Sequence, residues 1–290
     1  MRMLARIIGI VSAGMLLSAQ AQAIGAFADI VVLVDESGSM SAEHAWIGST
    51  ILSLEAELAA AGVGTGVDAN RYQLVGFGGT SSHVLGHDHG GFTNAFDFNA
   101  ETSTLTLAGA TEDGYDAIDH ALGLGIRAGA SFNIILITDE DRDNAGNTLN
   151  FTNILAAMNA QDAILNVVVN NPFFESDGTT AAIGVDSDGF AYTKDGSGGF
   201  TTSVGGIVGN GVGTTEIDYV PLALATNGAA WNLNDLRAGG FTADSFTAAF
   251  IEIKVAEIIE DVNPIPEPTA GLTFGVGLLI TAAAIRRRAA

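Results

Sequence analysis

The feature that most constrains the fold is an apolar run that stops abruptly at polar residues. Residues 30–34 read Ile-Val-Val-Leu-Val, and the chain continues as Asp35-Glu36-Ser37-Gly38-Ser39. A continuous run of aliphatic residues predicts a strand that is buried on both faces, as in a parallel sheet covered by helices. The loop after such a strand lies at the carboxyl edge of the sheet, where α/β proteins bind their ligands.

Strand-like and helix-like segments alternate along the rest of the chain. We therefore predict an α/β fold with a Rossmann-like, doubly wound and mostly parallel sheet flanked by helices. The predicted strands lie at 72–77, 132–138, 163–169 and 220–225, and the predicted helices begin just after 41, just after 111, at 151 and at 246. Ser41 is expected to cap its helix, and Pro221 to lie at the start or on an edge of the last strand.

The composition changes between residues 170 and 218, where Gly, Thr, Ser and Asp dominate and short alternating segments are separated by turn residues. This pattern predicts a hairpin-rich insertion before the last strand. The insertion is a candidate for shaping partner choice, and a purely decorative role is an equal alternative. Asn227, after the predicted last strand, tolerates the left-handed backbone of a turn.

Two separate segments carry oxygen ligands suited to a hard divalent cation. Asp35, Ser37 and Ser39 follow the first strand, and Asp139 directly follows the buried strand at 132–138. Carboxylates at the ends of neighbouring parallel strands converge on one edge of the sheet. Carboxylate and hydroxyl oxygens are the ligands that Mg²⁺ and Ca²⁺ prefer.

The Asp-x-Ser-x-Ser pattern, the Gly-x-Thr segment that ends at Thr111 and the later strand-end aspartate together resemble the von Willebrand factor A (VWA) family. The resemblance covers about 29–261 and implies a metal-ion-dependent adhesion site that holds one cation, Mg²⁺ or Ca²⁺. It implies these ligands: Asp35, Ser37, Ser39, Thr111 and Asp139. It also implies an open coordination position for a carboxylate of the partner. Glu140 departs from the family pattern, because relatives usually have Gly directly after the aspartate.

The acidic residues after Asp139 suggest a binding site for a second cation. Asp139, Asp141 and Asp143 alternate as in an EF-hand loop, but the twelfth position is Asn150 and not Glu. A solvated acidic loop is therefore the favoured interpretation, and it could still shift the preference of the site towards Ca²⁺.

The segment 81–91 contains His83, His87, Asp88 and His89, which suggests a zinc site because imidazole is a common zinc ligand. Gly and Asp fill the gaps, and the chain has no Cys that could assist. A flexible histidine-rich loop without metal is therefore the favoured interpretation.

Acidic residues greatly outnumber basic ones. The formal net charge is −22, and residues 24–268 contain all 33 acidic residues but only six of the 11 basic ones. Such a surface repels nucleic acid and anionic lipid and attracts divalent cations. We therefore expect no nucleic-acid partner. The absence of Cys says nothing about the compartment in a domain of this size.

The amino-terminal segment has the layout of a secretory signal peptide. Residues 1–23 contain Arg2 and Arg6, then an apolar stretch at 7–17, then Ala21-Gln22-Ala23, which has the form of a cleavage site. We therefore predict export and a mature chain that begins near Ile24. The VWA-like domain is then expected to span 24–262.

The carboxyl-terminal segment, 263–290, predicts a membrane anchor. A proline-rich stretch at 264–268 precedes seventeen uncharged residues at 269–285 and the basic cluster 286–288, which is typical of a transmembrane helix with a cytoplasmic end. The segment resembles a PEP-CTERM sorting signal. This resemblance implies a Gram-negative bacterium, an exosortase-type processing enzyme and a transient inner-membrane anchor before the cell surface or matrix; a permanent tail anchor is the alternative.

These observations predict an exported binding or adhesion module, not an enzyme. The expected partner is a protein or an exopolysaccharide that offers a carboxylate to the bound cation. Two alternatives stay open: a passive component of an extracellular polymer layer, and a metal-dependent hydrolase. The hydrolase is less favoured, because Ser37 lies in no Gly-x-Ser-x-Gly motif and the chain has no phosphate-binding Gly-x-x-x-x-Gly-Lys loop.

Overall fold

The computed structural model describes residues 26–143 and 148–262. The predicted signal peptide at 1–23 and the predicted sorting tail at 263–290, with its transmembrane helix at 269–285, lie outside these residues. Within the two described ranges, no helix is both long enough and apolar enough to cross a membrane.

The strands of the described residues form one large sheet and one small one. Their bounds are β1 (Ala28–Asp35), β2 (Arg71–Phe77), β3 (His87–Asp88), β4 (Ser131–Thr138), β5 (Ile164–Val169), β6 (Phe173–Phe174), β7 (Ala181–Ala182), β8 (Gly184–Asp186), β9 (Phe190–Lys194), β10 (Phe200–Val204), β11 (Ile207–Val208) and β12 (Ala229–Asn232). The helices are α1 (Ser41–Ala60), α2 (Ala95–Glu101), α3 (Gly114–Leu122), α4 (Phe151–Asn159), α5 (Thr215–Ala225), α6 (Leu233–Arg237) and α7 (Gly240–Val262).

The large sheet has the strand order β10-β9-β8-β12-β5-β4-β1-β2-β3. The five strands from β12 to β2 run parallel, and the strands beyond them on either side are antiparallel. The predicted fold class, a doubly wound and mostly parallel α/β sheet, is therefore confirmed. The chain passes from β1 outward to β2 and later returns to β4 on the other side of β1. The carboxyl ends of β1 and β4 thus flank the switch point, where open α/β sheets bind ligands.

Helices cover both faces of the sheet. Successive residues of β1 point to opposite faces, so Ile30, Val32 and Val34 join one hydrophobic core whereas Val31 and Leu33 join the other. The first core lies under α1, α2 and α7, and the second lies under α3, α4 and α5. All eight residues of β1 and of β4 are buried, which explains the continuous apolar runs in the sequence.

The predicted insertion at 170–218 does contain hairpins, and its strands join both sheets. Strands β8, β9 and β10 continue the large sheet beyond β12, whereas β6, β7 and β11 form the small sheet. At the end of this segment the amide of Thr214 donates to Asp141 Oδ2 at 3.1 Å. The insertion therefore contacts the acidic loop that follows β4.

The prediction of the last strand was wrong. Val220–Ala225 is the second half of α5, and the strand that completes the parallel part of the sheet is β12. A short apolar run does not distinguish a buried strand from a buried helix, and Ala and Leu favour the helix. Pro221 lies inside α5 at the cost of a helical hydrogen bond, which the packing of α5 against β5 and β12 offsets. Asn227 does adopt a left-handed backbone (φ 61°), although it follows a helix and not a strand.

Two helix starts also differ from expectation. Ser41 is the first helical residue and not the cap, because Met40 occupies the cap position without a side-chain hydrogen bond. The helix expected directly after Thr111 is α3, which begins three residues later because Asp113 caps it. The Asp113 side chain accepts from the amide of Tyr115 at 3.1 Å, which satisfies one of the free amides of the first turn.

Candidate metal centre

The turn after β1 is organised around the Asp35 carboxylate. The amide of Ser37 donates to Asp35 Oδ1 at 2.7 Å, and the hydroxyl of Thr138 donates to Asp35 Oδ2 at 2.8 Å. Thr138 is the last residue of β4, so this carboxylate links the ends of the two strands that flank the switch point. Asp35 itself is fully buried.

A chain of hydroxyls continues from this turn to the second strand-end carboxylate. Ser39 Oγ donates to Asp139 Oδ1 at 2.9 Å, and the Oγ atoms of Ser37 and Ser39 lie 3.0 Å apart. Because the only hydroxyl proton of Ser39 points to Asp139, Ser37 must donate to Ser39. The structure therefore brings together four of the five residues predicted as metal ligands.

Thr111, the fifth predicted ligand, lies near the other four, all in the described part of the chain, but does not contact them through a hydrogen bond of its hydroxyl. Thr111 is half-buried, and its two neighbours, Ala110 and Glu112, line the same cavity as Ser37 and Ser39. Among the described residues, no hydrogen bond joins the Thr111 hydroxyl to the Asp35 turn. The backbone of Thr111 lies beside the site, whereas its role as a ligand stays a prediction.

The cavity at this edge of the sheet has a volume of about 280 Å³ and is strongly acidic. Its lining residues are Ser37, Gly38, Ser39, Gly109, Ala110, Glu112, Glu140 and Asp143. Sequence reasoning did not assign Glu112 to the site. The amide of Glu112 donates to Asp143 Oδ2 at 2.9 Å, which draws the acidic loop over the cavity. The sequence did contain one indication that Glu112 belongs to the site, because Glu112 directly follows the predicted ligand Thr111.

The excess of negative charge appears in the pKa values of the buried acids. Burial is the largest cause that raises the pKa of Asp35, to about 6, and the nearby Asp139 adds to it. Burial also raises the pKa of Glu112 to about 8, together with repulsion from Asp35 and Glu140. A group of carboxylates with raised pKa values gains stability from either a proton or a cation. The hard oxygen donors present here fit Mg²⁺ or Ca²⁺.

One basic residue of the chain already contacts this group. The Nη2 atom of Arg237, at the end of α6, donates to Asp139 Oδ2 at 2.9 Å and to the carbonyl of Ser39 at 3.2 Å. Its Nε atom forms an ion pair with the fully buried Glu43 at 2.5 Å. The predicted metal ligand Asp139 therefore has a guanidinium on one oxygen and a serine hydroxyl on the other. Nothing in the local sequence indicated this contact, since the two residues are 98 positions apart.

The three histidines of the segment 81–91 lie close together around one carboxylate. His83, His87 and His89 surround the carboxylate of Glu36, and one ligand atom of each of the four residues lies within 4.8 Å of the others. Asp88, which the sequence grouped with the histidines, instead pairs with His120 at 2.9 Å. This group of four residues is hereafter called the histidine cluster.

A larger cavity lies away from these residues. It has a volume of about 500 Å³ and lies near Ile164, Asn227 and Glu257, at the amino-terminal ends of β5 and β12. This is the opposite edge of the sheet from the Asp35 turn. The candidate site is therefore defined by its chemistry and its position at the switch point, and not by cavity size.

No protein-family model matches this chain, and no curated protein matches it. One similar solved structure is an aerotolerance-related membrane protein from Bacteroides fragilis. The two share 15% sequence identity with a TM-score of 0.44, over 80% of this chain and 99% of that one.

Another similar structure is proximal thread matrix protein 1 from the mussel byssus, with 15% identity and a TM-score of 0.38 over 50% of this chain and 36% of that one. A form of that protein with a zinc-occupied MIDAS motif has 17% identity and the same TM-score, 0.38. This chain thus spans about a third of the length of the mussel protein. The fold class stated above rests on the strand order of this chain alone.

Proposed function

We propose that this chain is a binding module of the VWA type that contacts its partner through one divalent cation, Mg²⁺ or Ca²⁺. The observation that supports this most strongly is the run of oxygen atoms from Asp35 through Ser37 and Ser39 to Asp139. It joins the ends of β1 and β4 and opens into an acidic cavity. In this proposal these four residues, with Thr111, hold the ion.

The proposed partner offers a carboxylate, as a protein or an exopolysaccharide does. In this proposal three of the five ligands are neutral hydroxyls and the two carboxylates bind through water, so the protein only partly cancels the charge of the ion and the ion keeps affinity for an external anion. A bound cation would also help so acidic a chain to attract an acidic partner, since residues 24–268 contain 33 acidic and only six basic side chains. In this proposal the chain binds its partner and does not act on it as an enzyme.

The first test is cation binding by wild type and by Asp35→Asn, measured by calorimetry with Mg²⁺, Ca²⁺ and Mn²⁺. We expect the variant to lose at least about 100-fold in affinity, because outer-shell changes alone cost 10–100-fold at metal sites. The exposed acidic residue Asp119 provides the control, and Asp119→Asn should bind as wild type does. Unchanged affinity in Asp35→Asn, with the fold intact, would refute the proposed site.

The same proteins then test the partner class. We expect wild type to bind a uronic-acid polymer in the presence of Ca²⁺, and to lose this binding with a chelator or with the Asp35→Asn substitution. The carboxyl-esterified form of the same polymer should not bind. Binding of both polymers alike, with or without chelator, would contradict recognition of a carboxylate through the ion.

We further propose that the chain is exported and processed at both ends, as the patterns of 1–23 and 263–290 suggest. The secreted form should begin near Ile24 and lack the tail after the proline-rich stretch. Intact-mass measurement of the protein recovered from outside the producing cell checks this expectation. A mass that retains both segments would exclude it.

A further inference from the structure

The histidine cluster brings nitrogen and oxygen ligands from separate parts of the fold to one point. Glu36 directly follows β1, His83 ends the short 3-10 turn Ser81–His83, His87 begins β3, and His89 follows β3. The ligand atoms lie within 4.8 Å of one another. In tetrahedral zinc sites with Zn–N distances of 2.0–2.1 Å, neighbouring ligand atoms are about 3.4 Å apart. Small movements of the four side chains would therefore bring their ligand atoms to the separation found around a zinc ion.

The hydrogen bonds of two rings identify the nitrogen that carries the proton. Nδ1 of His87 lies 3.1 Å from the carbonyl of Leu85, which can only accept, so this nitrogen donates. Nδ1 of His89 lies 2.7 Å from the hydroxyl of Thr104, whose own proton is donated to the carbonyl of Glu101. His89 therefore also donates through Nδ1. In each neutral ring the lone pair is then on Nε2, which is the arrangement of metal-binding histidines.

These two Nε2 atoms have no hydrogen-bond partner among the described residues, although both are buried. Each lies 3.1 Å from an oxygen of the Glu36 carboxylate, and the side chain of His89 is only 5% exposed. Two lone pairs that face an anionic oxygen repel it. Charging all the rings instead would place three imidazolium groups with centroids 4.0–5.8 Å apart around one carboxylate. A divalent cation among the four ligand atoms removes both conflicts.

The backbone of β2 provides the space for this cluster. A Cβ atom at Gly76 would lie 2.3 Å from Glu36 Oε2 and 2.6 Å from His89 Nε2, so glycine at this position leaves room for both side chains where they stand. Gly76 is also the ladder partner of His87 in the pairing of β2 with β3. The exposed fractions of the His83 and His87 side chains, 30% and 21%, leave a path from solvent to the ligand atoms.

From this geometry we propose that Glu36, His83, His87 and His89 form a second metal site that binds Zn²⁺. Three imidazole nitrogens and one carboxylate oxygen favour zinc over Mg²⁺ and Ca²⁺. The site is distinct from the Asp35 centre although the residues are adjacent in sequence. The Asp35 carboxylate accepts from Ser37 and Thr138, whereas that of Glu36 faces the histidines.

Zinc at this site would also hold the segment that leads to Thr111. Glu36 Oε1 accepts from the amide of Thr106 at 2.6 Å, and the carbonyl of Glu36 accepts from the amide of Ala108 at 2.9 Å. His89 contacts Thr104 in the same segment. An ion bound to Glu36 and His89 therefore ties residues 104–108 and the histidine loop to the end of β1.

The test is zinc binding by the purified chain after removal of metal. The Asp35→Asn variant serves as the background, so that the Asp35 centre does not contribute. We expect one equivalent of Zn²⁺ by calorimetry and elemental analysis. Adding His89→Gln should weaken binding by at least about 100-fold, since even second-shell changes cost 10–100-fold. His120→Gln is the matched control, because this histidine contacts Asp88 outside the cluster, and it should bind as the background does.

His83→Gln keeps the test valid if the buried His89 variant does not fold. His83 has the most exposed side chain of the four residues, and its removal should weaken zinc binding while the circular dichroism spectrum stays unchanged. Absence of zinc binding in the background protein would overturn the proposal. Equal zinc affinity in the background and His83→Gln proteins would overturn it as well. Neither result bears on Ca²⁺ or Mg²⁺ binding at the Asp35 centre.

Discussion

Asp29→Asn is expected to lower the free energy of unfolding by about 3 kcal/mol at neutral pH, as removal of one partner from a buried ion pair does. Asp29 lies near the start of β1, at the opposite edge of the sheet from Asp35, and is fully buried. Arg71 and Arg127 both donate to its carboxylate, and their side chains are 28% and 24% exposed. We expect the lower end of the usual range because these arginines can reach water.

The loss should depend on pH in a defined direction. Burial alone would raise the pKa of Asp29, but the hydrogen bonds from Arg71 and Arg127 outweigh it and hold the pKa below its ordinary value. The ionised carboxylate therefore stabilises the fold above the unfolded-state pKa, about 4, and this contribution disappears as the pH falls through the lower folded-state pKa. The stability difference between wild type and Asp29→Asn should shrink in the same direction.

Urea unfolding at pH 7 and near pH 3 measures this difference directly. Asp119→Asn removes an exposed carboxylate and should change stability by less than about 0.5 kcal/mol. A difference between wild type and Asp29→Asn that stays constant across this pH range would show that the carboxylate charge is not the stabilising element.

Arg237→Gln is expected to destabilise the metal-free protein by about 3 kcal/mol and to strengthen Ca²⁺ binding by roughly tenfold. The substitution leaves Glu43 buried without its charged partner. It also frees the oxygen of Asp139 that the guanidinium contacts. Because Arg237 and the proposed cation use the same carboxylate, removal of one favours the other.

Added Ca²⁺ should therefore restore part of the lost stability, by about 2.7 kcal/mol at a hundred times the dissociation constant. Thermal unfolding with and without Ca²⁺ measures the recovery. Arg71→Gln is the matched control, since it breaks a comparable ion pair, with Asp29, at the far edge of the sheet. It should lower stability without changing Ca²⁺ affinity. Equal affinities in Arg237→Gln and wild type would show that the guanidinium does not compete with the ion.

Local patterns were sufficient to predict the part of the site that depends on strand ends. The apolar runs before Asp35 and Asp139 predict two strands buried on both faces, and parallel strands place their carboxyl ends at one edge. The contact through Ser39 follows from that arrangement. The same kind of pattern failed at Val220–Ala225, because a short apolar run is compatible with both helix and strand.

The sequence alone thus determined the α/β class and the acidic character of the chain, since each depends on composition or on periodicity within one segment. It also predicted that Asp35 and Asp139 meet, because of the general rule that parallel strands end at one edge of the sheet. Tertiary structure alone decided the rest. It placed Arg237 on Asp139 and the histidines around Glu36. Arg237 and Asp139 are 98 positions apart, and His83 and Glu36 are 47 positions apart. Such contacts depend on how whole helices, strands and loops pack against one another, and a local sequence pattern carries no information about that packing.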